Sequence, residues 1–218
     1  MKIVLVGGHG KVALCLIPLL SAAGHHVKAV IRNPQHRDDV ARAGAEAVVA
    51  DVETMDVQDL TDLLKGYELV VWSAGAGGGD PRRTYAVDRD AAIRSMDAAS
   101  AAGVHRYLMV SYFGAGKDHA VPPDNSFFAY AQAKALADDH LRHSGLAWTI
   151  VAPSRLTDAA ATGLVEVNGA KRVSPKSVPR ADVAAVIAAV VQRSDLSGRM
   201  IEFNSGSTPI EEALDALA

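Results

Sequence analysis

The chain opens with an apolar strand that runs directly into a glycine-rich turn and a helix start. The strand covers Lys2–Val6, and the turn reads Gly7-Gly-His-Gly10-Lys-Val-Ala13. Glycine at position 7 permits a tight turn, and Gly10, which has no Cβ, lets phosphate approach the amides of the next helix. The spacing departs from the more frequent Gly-x-Gly-x-x-Gly, but a strand before it and a helix after it indicate a dinucleotide-phosphate site. The alternative is an ordinary βα turn whose glycines serve geometry alone.

Strand-like and helix-like segments alternate along the rest of the chain. Parallel neighbouring strands need crossover connections, so this rhythm predicts an α/β fold with a doubly wound parallel sheet. We expect one domain over 1–218, with 154–179 and 196–218 forming a small C-terminal substrate lobe over the cleft. The predicted strands are 3–6, 27–31, 47–50, 69–72, 107–110, 148–151 and 200–203, and the predicted helices include 38–43, 57–64, 85–102, 128–144, 180–193 and 209–217.

Composition limits the classes of partner. The formal net charge of −3 argues against nucleic-acid binding, which needs clustered Lys and Arg. The sequence has no run of eighteen apolar residues and no secretory leader, so we expect no membrane span and a cytoplasmic location. Cys15 is the only cysteine, which excludes an internal disulfide, and we expect it to be buried in the first helix. His140 and His143 lack further ligands at a zinc-site spacing, so no metal site is predicted.

With these segments in place, the chain resembles the short-chain dehydrogenase/reductase superfamily, specifically its atypical, epimerase-like NAD(P)-binding branch. The resemblance covers nearly the whole chain and implies a Rossmann fold. Besides the glycine turn, it rests on Val-Ile-Arg-Asn-Pro at 30–34, Ala-Asp-Val at 50–52, Val-Trp-Ser-Ala-Gly at 71–75, Gly-Val-His-Arg-Tyr-Leu-Met-Val-Ser at 103–111, Tyr-Ala-Gln-Ala-Lys at 130–134 and Ser-Gly-Leu-Ala-Trp-Thr-Ile-Val-Ala-Pro at 144–153.

Arg32, after the second predicted strand, bears on the choice of cofactor. An acidic residue at this point would bind the ribose 2′-hydroxyl of NAD, whereas arginine accommodates the 2′-phosphate of NADP. No acidic residue adjoins Arg32 in the sequence, so NADP is favoured and NAD remains possible. The alternative is a solvated arginine at a strand end.

The resemblance implies further cofactor contacts. Asp51 would face the adenine amino group with help from the backbone of Val52, although a turn or N-cap carboxylate is the alternative for Asp51. The loop after the fourth strand would lie beside the nicotinamide ribose and the pyrophosphate, with a mobile surface loop as the alternative. Together the cofactor-binding candidates are Gly7, Gly8, His9, Gly10, Lys11, Val12, Arg32, Asp51, Val52, Ser73, Ala74, Gly75, Ser111, Tyr130, Lys134 and Pro153.

Three residues would carry the chemistry. Tyr130 and Lys134 lie four apart and so share a helix face. In reductases of this superfamily the tyrosine exchanges a proton with the substrate oxygen, while the lysine ammonium and a cationic nicotinamide lower the tyrosine pKa. The resemblance also implies that Lys134 holds the nicotinamide ribose and that Ser111 hydrogen-bonds the reacting carbonyl. The alternative is that Tyr130 packs in the cleft and Lys134 is solvated.

The resemblance implies an NADP-dependent oxidoreductase that acts on a small carbonyl or alcohol by hydride transfer, as a monomer or a homodimer. A sugar-nucleotide epimerase or dehydratase is one alternative, for which little chain remains after the sixth strand. A non-catalytic NAD(P) sensor is the other, against which the presence of both Tyr130 and Lys134 argues. Relatives often carry arginine where this chain has Ala152; either Arg155 replaces that charge or the site binds a different substrate group.

Overall fold

The computed structural model describes residues 1–77, 79–169 and 172–217. Residues 78, 170, 171 and 218 lie outside the described ranges. They include two positions of the segment 154–179 and the last position of 196–218, so the expected substrate lobe is described only in part.

Strands and helices alternate as expected for most of the chain. The strands are β1 (Lys2–Val6), β2 (His26–Ile31), β3 (Glu46–Val49), β4 (Leu69–Trp72), β5 (Arg106–Val110), β6 (Ala147–Pro153), β7 (Arg155–Thr157), β8 (Leu164–Val167), β9 (Ser177–Pro179), β10 (Arg199–Ser205) and β11 (Thr208–Pro209). The helices are α1 (Lys11–Ala22), α2 (Arg37–Ala43), α3 (Val57–Leu64), α4 (Pro81–Thr84), α5 (Ala92–Ala101), α6 (Phe128–His143), α7 (Arg180–Val191) and α8 (Ile210–Asp215). A π-helix, Tyr85–Ala91, joins α4 to α5.

The main sheet has the strand order β11-β8-β10-β6-β5-β4-β1-β2-β3. The strands from β3 to β10 in this order are parallel, which confirms the predicted doubly wound sheet. β8 and β11 add an antiparallel edge. Connections leave β1 and β4 in opposite directions, and in such sheets ligands bind in the crevice at the carboxyl ends of these strands.

The core has two layers because alternate side chains of a strand point to opposite faces. In β1, Ile3 and Leu5 pack on one face with α1 and α7. Val4 and Val6 pack on the other face with α3, α5 and α6. All four side chains are fully or almost fully buried, which explains why β1 reads as a continuous apolar run.

The predicted helix over 85–102 differs from the structure at its start. Asp80 accepts a hydrogen bond from the amide of Arg82 at 2.9 Å, and Pro81 follows it, so the helical segment begins at α4. The π-helix then turns Asp88 inward, where it is 2% exposed. Wider helical turns of this kind occur mostly at functional sites.

Two further expectations need correction. Cys15 is exposed, because Leu16 and Ile17 take the inward positions of α1 and leave Cys15 on the opposite stripe. The segment 154–179, expected to be irregular, contains β7, β8 and β9. In the part of it that the structure describes, β7 and β9 form a separate parallel pair, with Leu156 opposite Val178.

Over the described ranges, no helix combines the length and the apolar character that crossing a bilayer requires.

Candidate functional site

Two cavities adjoin at the carboxyl ends of the parallel strands. The smaller cavity, of about 360 Å³, lies against the ends of β2 and β3. The larger cavity, of about 740 Å³, lies against the ends of β5 and β6 and beside β7. Both are lined by Gly10, Ser73, Ala74 and Gly75. A ligand made of two nucleotides joined by a pyrophosphate would fit this arrangement, with its phosphates at the shared residues.

The glycine turn has the geometry that such a phosphate group requires. Gly7 has φ +85°, and a Cβ there would lie 2.6 Å from the backbone nitrogen of Ala74. Gly10 begins α1 without a side-chain cap, and a Cβ at Gly10 would lie 3.2 Å from the carbonyl oxygen of Gly7. The first turn of α1 carries no acidic residue. Its amides lack intrahelical partners and can donate to an anion, so the residues present fit a dinucleotide.

Two side chains of the turn, His9 and Lys11, contact acidic residues of other segments. His9 Nε2 lies 2.9 Å from an oxygen of Asp39, and its ring stacks on His36 at 3.5 Å. Lys11 Nζ donates to Asp158 at 2.9 Å. Ala29 leaves no room for a side chain at position 8, because its Cβ would lie 2.6 Å from a Cβ added at Gly8. The backbone of this turn, more than its side chains, is available to a phosphate.

Arg32 lines the smaller cavity as the sequence indicates, and its side chain is 57% exposed. An acidic residue that sequence adjacency does not reveal lies close by: Glu53 Oε2 is 3.9 Å from Arg32 Nη1. The same carboxylate accepts a hydrogen bond from Arg83 Nε at 3.1 Å. Two guanidinium groups therefore face the Glu53 carboxylate, and Asp51 is the second carboxylate on the wall of this cavity.

Asp51 and Val52 also line the smaller cavity. An oxygen of Asp51 accepts a hydrogen bond from the amide of Glu53 at 3.1 Å. Asp51 therefore shapes the turn after β3, the alternative that the sequence left open, and its position on the cavity wall is compatible with an adenine contact as well.

Asp88 anchors the loop after β4. The Asp88 carboxylate accepts a hydrogen bond from the amide of Ala76 at 3.0 Å. A Cβ at Gly75 would lie 3.0 Å from the other oxygen of Asp88, so glycine leaves room for this contact. The amide of Ser73 donates to the carbonyl of Val6 at 2.9 Å. Over residues 73–77 this loop is thus held to the sheet and to the π-helix.

Aromatic side chains position Tyr130 on the wall of the larger cavity. The rings of Tyr112 and Phe127 lie 5.6 Å and 5.2 Å from the Tyr130 ring and 5.2 Å from each other. All three residues and Pro153 line the cavity. Such packing restricts the Tyr130 ring and places its phenol beside the space where a substrate would sit.

Ser111 lines the larger cavity, but its hydroxyl is engaged. Its oxygen donates a 2.5 Å hydrogen bond to Oδ2 of the buried Asp138. A serine hydroxyl has one hydrogen, so in this arrangement Ser111 does not donate to a substrate carbonyl, contrary to the expected role.

Lys134 is also placed differently from its expected role. It is 1% exposed, lies outside the walls of both cavities, and donates from Nζ to the sulfur of Met109 at 3.0 Å. In this arrangement its ammonium does not face the space for a nicotinamide ribose. Burial lowers the pKa of Lys134, and the carboxylates of Asp138 and Asp88 oppose that change.

The electrostatics around Tyr130 correct one further expectation. Burial raises the pKa of Tyr130, and the nearby carboxylates of Asp88 and Asp138 raise it further. The resemblance implied a lowered pKa from the Lys134 ammonium and a cationic nicotinamide, and it did not take the burial of the phenol and these two carboxylates into account. At neutral pH the phenol is therefore protonated and can donate a proton, whereas it is a poor base.

Asp88 and Asp138 are the functional candidates that sequence reasoning missed. Tyr130, Lys134 and Asp138 follow one another at intervals of four on α6, so helical spacing could have identified Asp138. Asp88 had no comparable signal, because a π-helix shifts the face on which a residue lies. Burial raises the pKa of both carboxyl groups.

Histidine and acidic side chains form local pairs. His140 Nε2 lies 2.8 Å from Asp97, and His143 Nδ1 lies 2.8 Å from the carbonyl oxygen of Asp139. Among the residues that the structure describes, no group of three or more His, Cys, Asp or Glu side chains could hold a metal ion.

Comparisons with known proteins agree with this geometry. A family model described as NAD(P)H-binding matches residues 7–194. A Bacillus subtilis protein named as an uncharacterized sugar epimerase is 32% identical, with 100% of both chains covered. A solved structure from Bacillus halodurans, named provisionally as an NAD-dependent epimerase/dehydratase, is 32% identical with a TM-score of 0.90, covering 99% of each chain. The structure of the oxidoreductase ylbE from Lactococcus lactis is 29% identical with a TM-score of 0.87, covering 100% of this chain and 96% of that one.

The family match includes the glycine turn, the smaller cavity and the helix that bears Tyr130 and Lys134. The resemblance seen in the sequence is therefore confirmed, and with it a nicotinamide cofactor. The chain belongs to the NAD(P)H-binding family, an atypical branch related to the short-chain dehydrogenases/reductases.

Proposed function

We propose that this protein is an NADP-dependent reductase that converts the carbonyl group of a small molecule to an alcohol. One observation carries the proposal: Tyr130, with its pKa raised, lies on the wall of a cavity that is continuous with the phosphate-binding turn. A protonated phenol is suited to giving a proton to a carbonyl oxygen as the C=O bond is reduced. It is less suited to removing a proton from an alcohol, so reduction is the favoured direction.

The chain's own residues divide the work. The amides at the start of α1 and the residues shared by the two cavities would hold the pyrophosphate. When bound, the nicotinamide supplies the hydride to the carbonyl carbon. Tyr130 supplies the proton to the carbonyl oxygen, and Phe127 and Tyr112 keep its ring in place. Asp88 and Asp138 act behind the wall as charges that raise the proton affinity of the phenol, and Lys134 in turn lowers the pKa of both carboxyl groups.

The preference for NADP rests on the smaller cavity. Arg32 and Arg83 both face Glu53, so a 2′-phosphate at this end of the cavity would meet two guanidinium groups beside one carboxylate. A site specific for NAD would instead present an unpaired carboxylate to the ribose hydroxyls. A cytoplasmic location is part of the same proposal, since a chain with one cysteine suits a reducing compartment.

The names of relatives leave two enzyme classes to compare, since one is called a sugar epimerase and another an oxidoreductase. A sugar has many hydroxyl groups that need hydrogen-bond partners, whereas Tyr112, Phe113, Phe127 and Tyr130 give the larger cavity an aromatic wall. This lining favours a flat, apolar substrate body and hence the reductase.

NADPH oxidation with a panel of aromatic aldehydes and quinones tests the proposal, with Tyr130→Phe as the comparison. We expect turnover by the wild-type protein and a loss of about 10²–10⁴-fold in the variant, the range of general acid catalysis. Stabilisation of both proteins by NADPH in a thermal-shift assay would show that the variant still binds the cofactor. Cofactor binding without turnover of any carbonyl would contradict the proposal and favour the sensor.

A further inference from the structure

The lining of the larger cavity is rich in positive charge. Four cationic side chains line it, namely Lys11, Arg155, Lys176 and Arg180. Among the described lining residues Asp88 is the one carboxylate, and it is 2% exposed and bonded to the amide of Ala76. The chain as a whole has a net charge of −3, so this concentration of positive charge is local.

Three of the four cations already have acidic partners. Asp158 lies between Lys11 and Arg180, at 2.9 Å and 2.7 Å. Lys176 lies 3.2 Å from Glu166. These pairs occupy the rim of the cavity and reduce its charge.

Arg155 is different. It is exposed, lines the cavity at the start of β7, and has no carboxylate within 4 Å among the residues that the structure describes. Its guanidinium has no carboxylate partner in that part of the chain and can bind a planar anion through two parallel hydrogen bonds.

Two hydroxyl groups of residues that line the larger cavity also lack partners. Ser154 is 6% exposed and lines the cavity, and its Oγ has no hydrogen-bond partner in the described part of the chain. The hydroxyl of Tyr112, on the same wall, is likewise unpartnered among those residues. Burial raises the pKa of Tyr112 to about 12, so it is a donor at neutral pH. Buried polar groups normally have partners, so these two hydroxyl groups have hydrogen-bonding capacity left for a ligand that reaches them.

We infer that the larger cavity takes a planar aromatic or conjugated substrate that carries a carboxylate, which Arg155 binds while the Ser154 hydroxyl donates to it. Tyr112, Phe113 and Phe127 provide the aromatic faces for the flat body of the substrate. The inference rests on the proposed function, because it takes this cavity to be the substrate site.

The cofactor does not account for Arg155. The expected pyrophosphate position lies at the four residues that both cavities share. Arg155 lines only the larger cavity and not the smaller one. Replacement of Arg155 should therefore weaken the binding of an anionic substrate and leave NADPH affinity unchanged.

Calorimetric titration with 2-naphthoate and 2-naphthamide tests the inference, using protein saturated with NADPH. The two probes have the same aromatic body and differ in charge. We expect naphthoate to bind roughly tenfold more tightly, as one charge-assisted hydrogen-bonded pair allows. Arg155→Gln should remove the difference, and Arg82→Gln should keep it, because Arg82 is 94% exposed and lines neither cavity. Equal binding of the two probes, or a preference that survives Arg155→Gln, would overturn the inference.

A matched pair of aldehydes separates this inference from the proposed function. 4-Carboxybenzaldehyde and methyl 4-formylbenzoate carry the same reactive group, and we expect kcat/KM to be about tenfold higher for the acid. If both are reduced equally well, the reductase proposal stands and the carboxylate inference fails. If naphthoate is preferred and neither aldehyde is reduced, the anion site stands and the reductase proposal fails.

Discussion

The hydroxyl of Ser111 donates a 2.5 Å hydrogen bond to Oδ2 of Asp138, directly behind the wall of the larger cavity. This contact joins the end of β5 to the middle of α6 and holds a fully buried carboxylate near Tyr130. Oδ1 of Asp138 has no hydrogen-bond partner among the described residues. Ser111 therefore positions Asp138. Asp138 in turn acts through its charge on Tyr130.

Asp138→Asn should move the pH dependence of reduction. Removing a negative charge near the phenol lowers the pKa of Tyr130, which burial, Asp88 and Asp138 together raise above the ordinary value of about 10. Reduction needs the protonated phenol, so kcat/KM declines as pH rises through this pKa. The alkaline decline should therefore begin at lower pH in the variant.

Asp139→Asn is the matched control for that experiment. Asp139 adjoins Asp138 in the sequence, but it is paired with Lys117 at 2.9 Å, which lowers its pKa. Its removal should leave the alkaline decline in place. A decline that does not move in Asp138→Asn, or that moves equally in both variants, would contradict the role given to Asp138.

Gly7→Ala should abolish cofactor binding and destabilise the fold. A Cβ at Gly7 would overlap the Ala74 backbone, and φ is positive as well. Gly66→Ala separates backbone strain from steric overlap, because Gly66 has φ +80° with nothing within 4 Å of a Cβ. We expect Gly66→Ala to cost about 1–2 kcal/mol of unfolding free energy from strain alone, and Gly7→Ala to cost more. Urea unfolding and NADPH titration of both variants measure this, and equal losses of stability would contradict the overlap.

Arg32→Gln should reduce the preference for NADPH over NADH. A charge-assisted hydrogen bond contributes about 1.5–3 kcal/mol, so NADPH affinity should fall about tenfold or more while NADH affinity changes little. Dissociation constants for both cofactors measure the effect, with Arg82→Gln as a control that removes an exposed guanidinium elsewhere. Equal affinities for the two cofactors in the wild-type protein would refute the preference for NADP.

Lys134→Met should distinguish a lysine that binds the nicotinamide ribose from one that acts on the charges near Tyr130. Lys134 is buried and lines neither cavity, so NADPH affinity should change by less than about twofold. Reduction should be impaired, because Lys134 lowers the pKa of Asp88 and Asp138, the two carboxyl groups whose charges act on Tyr130. A large loss of NADPH affinity, with unchanged stability, would instead indicate a contact between the lysine and the ribose.

The positions of the parallel strands along the chain and the glycine turn could be predicted from the sequence, because both depend on local patterns. Buried strands are continuous apolar runs, and a phosphate turn needs glycine at fixed points. What it could not provide were contacts between distant segments. Glu53 reaches Arg32 through the packing of β2 beside β3, and β7 pairs with β9 across a segment rich in Gly, Pro and Ser. Tyr130 was identified, yet its raised pKa depends on Asp88, which a π-helix turns inward.

Transfer of deuterium from the cofactor to the product tests the central claim most directly. The wild-type protein would be incubated with 4-carboxybenzaldehyde and NADPH carrying deuterium at both C4 positions of the nicotinamide, and the alcohol analysed by mass spectrometry. We predict one deuterium on the carbinol carbon, and about 10²–10⁴-fold less product with Tyr130→Phe. An alcohol without deuterium, or undiminished product from Tyr130→Phe, would contradict hydride transfer assisted by Tyr130.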